Sequence, residues 1–181
     1  MHALFMREDR SGHLFAVAAL GLSVACAPTT ARPRPFPLPN ESPSRPATGG
    51  DERATDTLLR YGGAVTNTAL AFRGVPYVNG GTGPAGFDCS GFVQYVFAQH
   101  QRVLPRDVRQ QALTGTPVDR AHIIAGDLLF FDTGGAGPSH VGIALDRSRF
   151  VHAPSERGVV RIEALELPYW AHRYLSARRL P

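Results

Sequence analysis

There is no lysine in these 181 residues; all 19 basic positions are arginine. A phosphate-binding P-loop and a kinase-type nucleotide site both need a lysine on the phosphates, so both are excluded. Schiff-base chemistry falls for the same reason. HExxH and CxxC are absent as well, which removes the common metal patterns. No GxSxG elbow surrounds Ser90, because Asp stands at position 88 where the first glycine would have to be. Gly81-Thr82-Gly83-Pro84-Ala85-Gly86 matches GxGxxG, but only "VPYV" precedes it and Asp107 falls in a Pro-Arg loop; the βαβ context of a dinucleotide site is missing. The formal net charge is +4, yet the arginines are scattered, with no basic stripe carrying interleaved aromatics. That pattern describes a solvated surface and gives no support to nucleic-acid binding.

Cysteine is scarce too: Cys26 and Cys89 are the only two. A disulfide between them is one reading, but their contexts differ. Cys26 closes an apolar run, "LFAVAALGLSVA" at 14–25. As a helix that run reaches about 18 Å, short of the ~30 Å bilayer core and the length of a signal-peptide hydrophobic region. "SVAC" at 23–26 resembles a bacterial lipobox, which would make Cys26 the lipidated first residue of the mature chain. Ser23 stands where Leu is usual, and "ACA" at 25–27 offers ordinary cleavage and simple secretion as the alternative. Two or more acyl chains are enough for stable membrane anchoring. Ala27 after the cysteine resembles an outer-membrane sorting signal, which places the domain on the periplasmic side. Residues 27–54 are rich in proline and poor in apolar residues, the composition of a disordered spacer. The organisation expected is therefore 1–26 signal peptide, 27–54 linker and 55–181 folded domain. With Cys26 consumed by lipid, Cys89 has no intramolecular partner.

Within the domain, 55–73 suits one or two short helices broken at Gly62-Gly63. A Gly-rich loop follows, and "CSGFVQYVFAQH" (89–100) places Phe92, Val93, Val96 and Phe97 at helical spacing, with Asp88 as N-cap. Strands are expected at 127–132, 140–145, 149–154, 159–165 and 173–180. Helices first and antiparallel strands after make an α+β pattern without βαβ alternation.

Cys89 in the first turn of a helix meets partial positive charge and unpaired N–H groups. Those favour a thiolate and can hold the oxyanion formed when sulfur attacks a carbonyl. A thiol that simply fills the core is the competing reading. Among the histidines, His100 is explained by a helix C-terminus, and His122 and His172 have no special setting. His140 opens a strand after the Gly-rich "TGGAGPS", a loop that leaves room for a ligand; His152 lies on the returning strand. A three-residue turn at 146–148 would pair Val141 with Ala153 and Gly142 with His152. Both imidazoles would then share one face within reach of each other, and Gly142 would leave space for the ring.

"PYVNGGTGPAGFDCSGFVQYVF", "LPRDVRQQA", "AGDLLFF", "SHVGIAL" and "FVHAP", in this order, resemble the NlpC-type cell-wall cysteine peptidase family over about residues 60–175. The resemblance implies a papain-like fold, N-terminal helices packed on a small antiparallel sheet. It makes Cys89 the nucleophile, His140 the base and His152 the group orienting it, as a thiolate–imidazolium pair. It puts Tyr77 near the oxyanion, and Asp88 and Ser90 at the pocket for the substrate's peptide end. It implies peptidoglycan as partner and no cofactor or metal. The expected reaction is hydrolysis of a stem-peptide amide next to diaminopimelate, D-Glu–diaminopimelate or D-Ala–diaminopimelate. A non-catalytic wall-binding lipoprotein, and an amidase or acyltransferase, are the alternatives on the same fold. Asn79 departs from the aromatic usual at its position, which bears on substrate preference.

Overall fold

The computed structural model describes residues 49–155 and 158–181. The signal-peptide, lipobox (Cys26) and most of the linker expectations lie outside these residues. The chain begins with α1 (Gly49–Leu70), continues through a two-residue hairpin of β1 (Thr82–Gly83) and β2 (Gly86–Phe87), and enters α2 (Cys89–Ala98). A short α3 (Val108–Gln111) leads to β3 (Thr116–Val118), β4 (Leu128–Phe131), β5 (His140–Ala144), β6 (Arg149–His152) and β7 (Arg161–Ala164). One turn of helix, α4 (Pro168–Ala171), precedes the last strand, β8 (Tyr174–Arg179). The six longer strands form one antiparallel sheet in the order β3-β8-β4-β5-β6-β7. This is the α+β arrangement expected, with the helices at the N-terminal side of the chain.

The central strands β4 and β5 are buried on both faces, and this explains why β4 reads as the unbroken apolar run Leu-Leu-Phe-Phe rather than an alternation. Leu128 and Phe130 join Val141, Ile143 and Val151 against α1 and α2, where they meet Val65, Phe92, Val93, Val96 and Phe97. Leu129 and Phe131 face the other way, with Ala144, Phe150, Trp170 and Ala177. The helical spacing read for α2 is the face that packs on the sheet.

Two expectations on α1 are corrected. It starts at Gly49, six residues inside the expected linker, and it runs through Gly62-Gly63 without a break. The reason is tertiary. A Cβ on Gly62 would run into the carbonyl oxygen of Ala125, and Gly126 has φ +88° directly opposite. Gly62 lets the helix approach the turn before β4, and the packing it permits outweighs its poor helix propensity. β1–β2, α3, β3 and α4 were not foreseen: each has two to four residues, too few for a period to be read. Pro117 sits in β3 at the sheet edge, where a strand tolerates a residue without an N–H.

The two glycines of α1 should therefore respond oppositely to alanine. Gly62→Ala is expected to destabilise by about 1–3 kcal/mol through overpacking. Gly63→Ala has nothing within 4 Å of the added methyl and should stabilise by about 0.5–1 kcal/mol. Urea unfolding of both variants checks this; equal effects of one sign would contradict the close approach.

Candidate active site

The N-terminus of α2 is built by Asp88. Its backbone is extended (φ −91°, ψ 177°), and its Oδ1 accepts from the Gly91 N–H at 2.7 Å. Its second oxygen accepts from Arg106 Nη2, and Arg106 Nη1 donates to Ser90 Oγ at 2.6 Å. Gln111, fully buried, donates to the carbonyl oxygens of Ser90 (3.1 Å) and Pro105 (2.8 Å). The 105–111 segment is thereby clamped to the first turn of α2. Asp88 and Ser90 are 8% and 4% exposed, and their side chains make this clamp. Arg106, whose side chain is 40% exposed, is the charged group the clamp presents to solvent. Neither Arg106 nor Gln111 was singled out in the sequence; the only signal was their place within "LPRDVRQQA", since a lone Gln in a polar run carries no mark of burial.

Cys89 is the first residue of α2, and its thiol is half-buried against the core rather than within it. The backbone N–H groups of Val141, Ser90 and Cys89 lie near enough to the thiol to favour its charged form. The helix start therefore meets the start of β5, one residue from His140. Burial pushes the thiol up and the Asp88 carboxylate adds to this; the three N–H groups pull it back, and the net direction is up. Tyr77 lies beside the thiol. Burial raises its phenol, and the charges of Cys89 and Asp88 raise it further. Asn79 is exposed on the neighbouring turn.

The β5–β6 hairpin has the register expected from a three-residue turn. Ile143 pairs with Val151 and Ala144 with Phe150, and Leu145 N–H donates to Arg149 O at 2.9 Å across residues 146–148. His140 and His152 consequently lie on one face. His140 Nε2 and His152 Nδ1 are 2.7 Å apart, with the rings perpendicular. A Cβ on Gly142 would sit 3.2 Å from that of His152, so the glycine makes the room the second ring needs. Trp170 from α4 stacks on His140 at 5.3 Å and meets the edge of His152 at 4.9 Å. Both imidazoles are buried, at 5% and 0% exposure. Burial drives His140 down to about 3, helped by His152 and opposed by Glu163; burial likewise lowers His152 against the pull of Glu163. An open cleft of about 490 Å³, walled by Thr133, Arg161, Glu163, Tyr169 and Trp170, reaches His140 from this side.

The loop before His140 is tied internally: Asp132 accepts the N–H groups of Gly134, Gly135 and Gly137, and Ser139 Oγ accepts those of Thr133 and Gly134. Burial moves the Cys89 thiol up and the His140 imidazole down, so each charged form is penalised where it sits.

A cysteine at a helix start set against an antiparallel sheet that carries a paired histidine is a papain-like α+β arrangement. The NlpC/P60 family model matches residues 74–179, and the chain belongs to the NlpC/P60 family. It is 37% identical over 130 residues to the probable endopeptidase NlpC of Escherichia coli, covering 71% of this chain and 83% of that protein. It is 42% identical over 110 residues to the E. coli murein DD-endopeptidase MepS/murein LD-carboxypeptidase, covering 60% of this chain and 57% of that one. A gamma-D-glutamyl-L-lysine dipeptidyl-peptidase of Bacillus cereus matches at 37% over 115 residues, 62% of this chain; the chain spans about a third (34%) of that relative's length. Among solved structures, the NlpC/p60 domain of the peptidoglycan hydrolase SagA superposes with a TM-score of 0.59 at 36% identity, over 66% of this chain and 98% of that one.

A thiol raised by burial has a measurable signature. The rate of Cys89 alkylation by iodoacetamide should rise in one step above the ordinary thiol range of about 8.5, with no reactive plateau between pH 4 and 6. Such a plateau would show the ion pair.

Proposed function

We propose that this protein is a peptidoglycan stem-peptide endopeptidase that hydrolyses an amide next to diaminopimelate through an acyl-enzyme on Cys89. The observation that carries the reading is Cys89 at the first turn of α2, set near Val141 and so one residue from a histidine already linked at 2.7 Å to a second. His140 Nε2 is engaged by His152, so Nδ1 is the nitrogen left for the thiol. As the sulfur attacks the carbonyl carbon, the thiol proton passes to His140 Nδ1 and the carbonyl oxygen becomes an oxyanion. The Cys89 N–H at the helix start and the Tyr77 hydroxyl stabilise it. His140 then gives the proton to the leaving amine as the C–N bond breaks, and a thioester remains. Water, deprotonated by His140, releases the acid and restores the thiol. His152 holds the His140 ring, the role of the third member in triad logic. Arg106 brings positive charge to the rim, which suits the carboxylates of a stem peptide.

The names of the relatives support a wall substrate, and one neighbour counsels a direct test. RipD of Mycobacterium tuberculosis, 25% identical with a TM-score of 0.55 over 67% of this chain, is described as a non-catalytic NlpC/p60 domain adapted to peptidoglycan binding. In this chain Cys89, His140 and His152 are all present, which favours catalysis. We further infer that Cys26 is lipidated, that the proline-rich segment after it is a spacer, and that the domain works from the outer membrane into the periplasm. The folded part of the domain then reaches back to Gly49 rather than to residue 55.

Cys89→Ala is expected to lower turnover on purified sacculi by roughly 10³-fold or more while the domain stays folded. Mass spectrometry of the released muropeptides reports the bond cut; retained turnover in the variant removes Cys89 as nucleophile. Separately, Cys26→Ala should move the protein from the membrane to the soluble fraction, and continued lipid labelling of that variant would exclude the anchor.

A further inference from the structure

The relay does not end at His152. Its Nε2 is buried, and among the described residues no polar atom lies within hydrogen-bonding distance of it. The nearest acceptor is Glu163 Oε2, 3.8 Å away on the neighbouring strand β7. Glu163 is an unusual side chain for its place. It pairs across from Phe150 in the sheet, its side chain is 16% exposed, and the aromatic cluster of Phe150 and Trp170 surrounds it. It is fixed from two sides: Trp170 Nε1 donates to Oε2 and Arg161 Nε donates to Oε1. The groups facing His152 are thus the His140 imidazole from β5, Arg161 and Glu163 from β7, and the Trp170 indole from α4.

The consequence follows from proton counting. A neutral imidazole carries one N–H, and the other nitrogen accepts. A carboxylate only accepts, so it favours the His152 tautomer with its proton on Nε2. His152 Nδ1 is then an acceptor, and the 2.7 Å contact requires His140 to donate from Nε2. That leaves the lone pair of His140 on Nδ1, the nitrogen that His152 does not engage. The opposite tautomer of His152 would place the His140 proton on Nδ1, where no thiol proton can be accepted.

We propose that Glu163 is a positioning residue of the relay: its carboxylate selects the Nε2-protonated form of His152 and, through it, the Nε2-protonated form of His140 that can act as base. This rests on the reading of His140 as the base for Cys89, but it concerns a residue that touches neither substrate nor sulfur. His152, Trp170 and Arg161 hold the Glu163 carboxyl down to about 2, so the acceptor persists across the range in which an enzyme works.

The test reads tautomers and turnover separately. Long-range ¹H–¹⁵N spectra of histidine-labelled protein at pH 7.5 should show His140 and His152 both protonated on Nε2. A wild-type His152 protonated on Nδ1 overturns the inference without any variant, and does so whether or not the protein proves active. In Glu163→Gln the Nε2 form should lose its dominance, and kcat on a stem peptide should fall at least about tenfold, the lower end of what a carboxylate behind a histidine contributes, with KM within about twofold. Arg161→Gln removes the same ion pair but leaves the carboxylate facing His152; the Nε2-protonated form of His152 should persist in it. Wild-type tautomers and wild-type kcat in Glu163→Gln would show that the carboxylate only holds Arg161 and Trp170. Absence of turnover in the wild-type protein would instead count against the endopeptidase reading.

Discussion

Asp88 closes the first turn of α2 with one oxygen and holds Arg106 with the other, and the position of Cys89 depends on both bonds. The cap ends the chain's extended approach and starts the helix at the next residue, so the thiol falls where helical N–H groups are unpaired. The Arg106 bond ties the 105–111 loop beneath that turn. The apolar face of α2 then presses on β5, which brings the sulfur to the Val141 N–H and to the end of the strand where His140 begins. Losing the cap would release the helix start and the loop together, and the thiol would lose its place relative to the base.

The other half of the candidate site is held by aromatic packing rather than by caps. Phe131, Phe150 and Trp170 enclose the two histidines on the far face of the sheet. That enclosure fixes ring orientation, and it also denies the imidazoles the solvation a positive charge needs. A charge on His140 is then favourable only beside a partner of opposite charge. Glu163, at the back of the pair, is the one carboxylate among the described groups that offsets the positive charge from behind, since it raises both histidines.

Most of the frame could be read in the sequence because its signals are local. The spacing of Phe92, Val93, Val96 and Phe97 marked the buried face of α2, Asp88 marked its cap, and the length of the 146–148 turn set the parity that brings His140 and His152 to one face. The elements that escaped are the short ones, where two to four residues hold no period. α1 was misread for a different reason. A Gly-Gly pair in an otherwise helical stretch has two causes, a break or a close approach, and only the position of Ala125 in space separates them.

What the linear chain established is which chemistry was available: one cysteine in the domain at a helix start, two histidines on one hairpin, and no lysine or metal pattern to compete. Those follow from identity and spacing alone. The folded arrangement decided the rest, because it depends on residues distant in the chain. Arg106 and Gln111 became part of the α2 clamp, and Glu163 came to stand behind His152. Burial moves the Cys89 thiol up and the His140 imidazole down, a property of the packed surroundings that neither residue's neighbours in sequence disclose.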